Sequence, residues 1–153
     1  MYDRSMSDPS DVSALPVEFL GTLRASTESI PAVAVAGPGG TRVTVTVTDV
    51  AFDGPRVSAV GPEGVAAADW AFVRSDGTFV LDVRLNLRTA DDADIYVTYT
   101  GIGVPDTDGA MSIRTAPLFE TGDERYAWLN NVQAVGVGRV SETGVEYDVY
   151  ALQ

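Results

Sequence analysis

This chain predicts an all-β protein: a single antiparallel barrel of about eight to ten short strands, with at most one short helix. Three observations carry that expectation. The stretch Phe79–Thr89, "FVLDVRLNLRT", alternates apolar and polar residues without a break. So does Arg42–Thr48, "RVTVTVT". Such a period of two belongs to strands, whose successive side chains point to opposite faces. The third observation is punctuation: Gly37-Pro38-Gly39-Gly40, Asp53-Gly54-Pro55 and Ser75-Asp76-Gly77 fall between the alternating runs, as turns should.

Taken in order, Ala14–Ala25 holds a first strand and Gly37–Gly40 a turn into the strand that includes Arg42–Thr48. Val57–Val60 is a short strand. Pro62–Asp69, "PEGVAAAD", is the one stretch that suits a helical turn. Trp70–Arg74 and Thr78–Thr89 form a hairpin about Asp76-Gly77, because Asp-Gly supplies the positive φ that tight hairpins require. Ile95–Gly101 returns after a turn at Ala90–Asp94, and Pro105–Gly109 is a loop. Ala110–Thr115, Ala127–Val140 and Val145–Leu152 complete the strands. Residues 1–13 read as a flexible polar leader and 14–153 as one barrel domain.

The composition narrows the chemistry. The 153 residues include no Cys and no His, and all ten cationic side chains are Arg. Thiolate nucleophiles, disulfides, Cys-based metal sites, a Ser-His-Asp triad and a Lys Schiff base are therefore excluded. Proton transfer falls to Asp, Glu or Tyr. The formal charge of -12 repels phosphate backbones and anionic lipid, so neither nucleic acid nor membrane is an expected partner. With no apolar signal core at the N-terminus, a cytoplasmic location is expected. No metal site is expected either. Asp106-Thr107-Asp108-Gly109 puts Met111 where a calcium loop needs Gly, and Asp91, Asp92 and Asp94 read as a solvated acidic turn. Gly37–Gly40 leads into a strand without a following Lys-Ser/Thr, so it is a turn and not a phosphate cradle.

"GPGGTRVTVTVTDVAFDGPRV", "ADWAFVRSDGTFVLDVRLNLRTADDADIYVTYTGI", "PLFETGDERYAWLNNVQAVGVGRV" and "GVEYDVYAL" follow one another in an order that resembles the domain of unknown function family 3237. The likeness runs from about Leu15 to Leu152. It implies a calycin-like β-barrel and, from the setting of some members, small-molecule chemistry in natural-product biosynthesis. The chain departs from the family pattern at Asp49-Val50-Ala51-Phe52, where a Gly-Gly pair is usual, and at Glu63–Ala68. These loops are expected to shape the ligand's surroundings.

The orientation of Phe79–Thr89 decides the candidate site. If Leu81, Val83, Leu85 and Leu87 face inward, Asp82 and Arg84 are surface groups. If the polar face lines a lumen, they are a base and an electrostatic stabiliser. The resemblance favours the second arrangement, because Asp82 and Arg84 belong to its most recognisable run. The apolar face would then need an outer cover, hence an expected homodimer. On this reading Asp82, Arg84, Asp69 and Glu120 are the catalytic candidates, and Trp70, Tyr96, Tyr99, Tyr126, Trp128 and Asn130 the substrate-binding ones. Asp69 either caps a chain end or reaches the pocket. Tyr96 and Tyr99 lie on opposite faces of their strand, so at most one is inside. Tyr126, Trp128 and Asn130 share a face if their segment is extended. The function expected is a cofactor-independent cyclase or isomerase acting on a natural-product intermediate. The alternative is a lipocalin-like binder of an apolar metabolite.

Overall fold

The structure is a computed structural model that describes residues 14–28 and 31–153. The leader expected at residues 1–13 lies outside the described residues. Ten strands form one antiparallel sheet: β1 (Val17–Thr27), β2 (Val33–Gly37), β3 (Gly40–Asp53), β4 (Ser58–Val60), β5 (Ala68–Val73), β6 (Phe79–Thr89), β7 (Asp94–Pro105), β8 (Met111–Glu120), β9 (Ala134–Val140) and β10 (Gly144–Leu152). The order β1-β10-β9-β8-β7-β6 continues through β4 and β5, which share the place between β6 and β3. Pairing of β3 with β1 then closes an eight-stave barrel. Among the described residues, closure leaves β2 as the one strand outside the ring, hydrogen-bonded to β3. Among the described residues no helix is long and apolar enough to cross a membrane.

The apolar face of β6 turns inward. Leu81, Val83, Leu85 and Leu87 are all buried, and Leu85 has no exposure at all. With Phe52, Ile95, Val97, Phe119 and Val149 they form the core. This corrects the expectation that the polar face of β6 lines a lumen. A narrow barrel gains more from removing four aliphatic side chains from water, roughly 1.5–3 kcal/mol each, than from enclosing Asp82 and Arg84. The argument for a covering dimer falls with it, because the face to be covered is already inside.

β3 carries the bend that closes the ring. Arg24 faces Ala51 while Ser26 faces Thr48, so β3 has one extra residue between them. Asp49 sits at that bulge with φ +47°, in the left-handed region. Asp tolerates that region better than most residues, and Gly best of all. Here Asp stands where a Gly-Gly pair was expected, and the backbone keeps a glycine-like turn. On the N-terminal side of the bulge Thr48 and Val47 still pair with β1, and residues 40–46 pair with β2 and β5.

Two elements differ from the sequence expectation. Pro62–Asp69 is not helical; it passes through a turn and enters β5 at Ala68. The helix lies instead at Glu124–Asn131, a 3-10 helix inside a segment expected to be extended from Ala127. The Asp123 carboxylate caps it by accepting from the Arg125 backbone N–H, and so draws the chain into a helical turn. Tyr126, Trp128 and Asn130 therefore do not share a strand face. The helix closes one end of the barrel, with Leu129 buried among the core side chains. Arg125 ties it to the β6–β7 turn through Asp91 at 2.9 Å, and the Tyr126 hydroxyl donates to the same carboxylate at 3.0 Å. Those contacts, with a Thr89 hydroxyl also donating to it, make Asp91 a docking point for the helix within an exposed acidic turn.

Leu129→Ala is expected to destabilise the fold by about 2–4 kcal/mol in urea unfolding, through the cavity it leaves under the helix. Asp49→Gly is expected to stabilise it by up to about 1 kcal/mol by relieving the left-handed residue.

Candidate active site

Two short patterns hollow out one half of the barrel. Gly101-Ile102-Gly103 on β7 and Gly136-Val137-Gly138 on β9 place glycines at alternate positions, so both pairs fall on the inner face. A side chain at Gly138 would run into the Tyr147 ring, 2.2 Å from its Cδ1. One at Gly136 would strike the Thr115 hydroxyl. The glycines of β9 therefore leave room for Tyr147 to lie across that strand. The other half of the barrel has no such gap, and Phe52, Phe119, Leu87 and Leu129 fill it.

The hollow half encloses a cavity of about 260 Å³. Its wall is almost wholly apolar, with Val47, Phe79, Leu81, Val83, Met111 and Ile113 among its residues. Among the described residues its carboxyl and phenol groups come from three: Asp69, Tyr99 and Tyr147. The mouth lies where β1, the β5–β6 hairpin, the β7–β8 hairpin and the β9–β10 hairpin end. Thr27, Phe79, Met111, Val140 and Val145 sit at those ends and line the cavity.

Asp69 reaches the cavity because β5 turns it inward, facing Val45 on β3 and Val83 on β6. The ladder between β5 and β6 is interrupted here. Asp69 pairs with Val83 and Phe72 with Val80, but Trp70 and Ala71 make no pairing with β6. The Asp69 carboxylate fills the gap, its Oδ1 accepting from the Asp82 backbone N–H at 2.9 Å. Burial raises its pKa from 3.8 to about 6, against the lowering effect of that hydrogen bond, and the nearby Asp82 charge adds to the rise. Tyr99 and Tyr147 pack edge to face with ring centroids 5.8 Å apart. Burial lifts both phenols above the usual tyrosine value, and the Asp69 charge pushes each further the same way. The carboxylate and both phenols thus form one electrostatic cluster on the cavity wall. Near neutral pH Asp69 exchanges a proton readily, while both phenols stay protonated and serve as hydrogen-bond donors.

The remaining sequence candidates are elsewhere. Asp82 and Arg84 stand on the outer wall, 3.4 Å apart and each about half exposed. Arg84 lies over the Trp70 ring at 5.1 Å, so these three side chains clamp the interrupted ladder from outside. Glu120 and Tyr96 are exposed and face each other across β7 and β8. Tyr126 and Trp128 pack at the closed end, with Arg56 stacked 3.7 Å over the Trp128 ring. Asn130 holds the β8 exit through Thr121, accepting from its N–H at 2.8 Å and donating to its C=O at 3.0 Å. Of the residues singled out from sequence, Asp69 and Tyr99 line the cavity, and Tyr147 was missed. The signal for Tyr147 was present: Val145, Tyr147 and Val149 alternate through "GVEYDVYAL" beside the Gly-x-Gly of β9.

A profile of the family described as "Protein of unknown function (DUF3237)" matches residues 15–152. The chain belongs to the DUF3237 family. One segment of 62 residues is 39% identical to the hydroalkoxylation enzyme phnH of Penicillium herquei, covering 40% of this chain and 36% of that protein. A second, of 75 residues, is 33% identical to a UPF0311 protein of Bradyrhizobium diazoefficiens, covering 40% of this chain and 49% of that one. The chain thus spans about a third and about half of these curated relatives. Among solved structures, a conserved protein of unknown function from Rhodopseudomonas palustris superposes with a TM-score of 0.81 at 21% identity, covering 92% of this chain and 99% of that one. A beta-barrel like protein from Acinetobacter baumannii gives 0.79 at 23%, covering 93% and 99%. An enzyme from Penicillium herquei gives 0.72 at 22%, covering 91% and 95%. At these identities the likeness shows the fold alone, a β-barrel.

The ionised Asp69 carboxylate costs the folded DUF3237 barrel stability. Its folded pKa is raised, so the native state holds a proton through the interval from 3.8 to about 6 that the unfolded chain has lost. The cost is absent below that interval and complete above it. Asp69→Asn is expected to raise stability at about pH 8 by on the order of 1–3 kcal/mol, an advantage that vanishes in thermal melts near pH 3.5.

Proposed function

We propose that this barrel is a cofactor-independent cyclase: it closes a ring by adding a hydroxyl group of a small unsaturated molecule across its own activated double bond. The observation that carries the reading is Asp69, a carboxyl group raised to about 6 in an apolar cavity beside two protonated phenols. The relative named a hydroalkoxylation enzyme supports it, over the 36% of that protein which the chain matches.

The proton balance closes on the chain's own groups. The Asp69 carboxylate takes the proton of the substrate hydroxyl as its oxygen attacks the alkene carbon. The alkene π electrons move onto the activating group, where a phenol of Tyr99 or Tyr147 donates a hydrogen bond to the developing oxyanion. The proton on Asp69 then passes to the neighbouring carbon. One O–H and one C=C π bond break; one C–O and one C–H bond form; the product is an isomer of the substrate. A carboxylate with pKa near 6 suits both transfers, because it neither holds nor refuses the proton strongly near neutrality. Confinement supplies the rest, since a cavity of about 260 Å³ forces one flexible molecule into folded conformers. The apolar wall also suits a carrier of a neutral metabolite, and the test separates the two.

The strain lacking this gene is expected to accumulate a compound with the mass of the lost product. Purified protein should convert it, and Asp69→Asn should be slower by about 10²–10⁴-fold. Tyr147→Phe should lower kcat more than it raises KM, as for a group that stabilises the transition state. The rate should be flat above about pH 7 and fall about tenfold per unit below 6, as the base is protonated. A mass difference between accumulated compound and product, or full activity of Asp69→Asn, contradicts the proposal. Unchanged ligand binding with no turnover by the wild type assigns the carrier role.

A further inference from the structure

Both ends of this barrel carry acidic turns, and those at the mouth border the cavity. At the closed end, Arg88 pairs with Asp94, Arg125 with Asp91 and Asp123, and Arg56 covers Trp128. At the mouth, each chain end that contributes a cavity residue also carries acid. Glu28 follows Thr27, Asp76 lies in the hairpin before Phe79, Asp106 and Asp108 precede Met111, and Glu142 lies between Val140 and Val145. The cation in these turns is Arg74, whose charge acts on Asp76 in its own hairpin. Arg42 and Arg139 stand nearby but on the outer wall, held by the Phe72 ring at 4.8 Å and by Glu146 at 3.5 Å. Among the described residues no Arg lines the cavity.

We infer that the lumen selects uncharged substrates: a neutral apolar alcohol or phenol enters, and carboxylates, phosphates and carrier thioesters with anionic handles are refused. This rests on the lumen being the reaction site proposed above. The rim repels an approaching anion, and the cavity offers it no cationic partner to offset desolvation. A cation is drawn to the rim but must then shed its water into an apolar cavity against a single carboxyl group. The selection also defines the preceding step as one that releases its product free of any carrier and without a free carboxylate.

Three naphthalenes of similar size test this by calorimetric titration of the wild-type protein at about pH 7.5: neutral 2-naphthol, anionic 2-naphthoate and cationic 2-naphthylmethylamine. Naphthol is expected to bind at least about tenfold tighter than either ion. Replacing the rim acids (Asp106→Asn, Asp108→Asn and Glu142→Gln together) should narrow the gap between naphthol and naphthoate by several-fold at low salt, and by less at high salt. All three sites are exposed, so the fold is expected to tolerate the changes. Binding of naphthoate or the amine as tight as that of naphthol, failure of all three to bind, or a gap indifferent to the rim variants overturns the inference. None of these readouts involves turnover, so a selective but inactive protein would reject the cyclase reading and leave the charge selection standing.

Discussion

The barrel depends on one constraint: a ring of eight staves has an interior that must be filled. Its lower half is filled by Leu85, Leu87, Phe52, Phe119 and Leu129, which are nearly inaccessible to water. That packed half holds the staves in register. The upper half, spaced by the glycines of β7 and β9, stays hollow without collapsing. Asp69 lies on the hollow side, held by the Asp82 N–H across the gap in the β5–β6 ladder. Rigid packing below and a missing rung beside it place a carboxyl group in an apolar cavity with little freedom to retreat to water.

The same arrangement links stability to chemistry. A carboxyl group open to water incurs no comparable desolvation penalty. Asp69 is raised to about 6 because the cavity withholds water from its charge, and the phenols of Tyr99 and Tyr147 are kept protonated for the same reason. The property that would suit the trio to the proposed proton transfer is therefore the one that destabilises the native state above about pH 6. Asp82, outside the barrel, contributes through its backbone N–H and through its charge, not as a base.

The alternation of β6 made the strand legible from sequence, and with the turns at Gly37–Gly40 and Asp76-Gly77 it made the barrel legible too. It did not say which face was inside. A period of two is symmetric, and the resemblance drew attention to Asp82 and Arg84, whose side chains stand outside the interrupted β5–β6 ladder. Asp69 was visible as a candidate but not as the centre, since its inward direction follows from pairings with β3 and β6 that are distant in sequence. Tyr147 was hidden for a related reason: its place beside Tyr99 depends on β9 having no side chains in between. The helix at Glu124–Asn131 was obscured by aromatic residues with high strand propensity. A cap at Asp123 and the anchor at Asp91 decide its form.

The central claim is that Asp69 is a buried carboxyl group poised near neutrality. It is tested most directly by following the side-chain carboxyl ¹³C resonance of Asp69 through a pH titration, assigned by its loss in Asp69→Asn. The account predicts an inflection at about 6, against the ordinary value of 3.8. An inflection at the ordinary value would mean that the carboxylate is solvated, and would contradict the site described above.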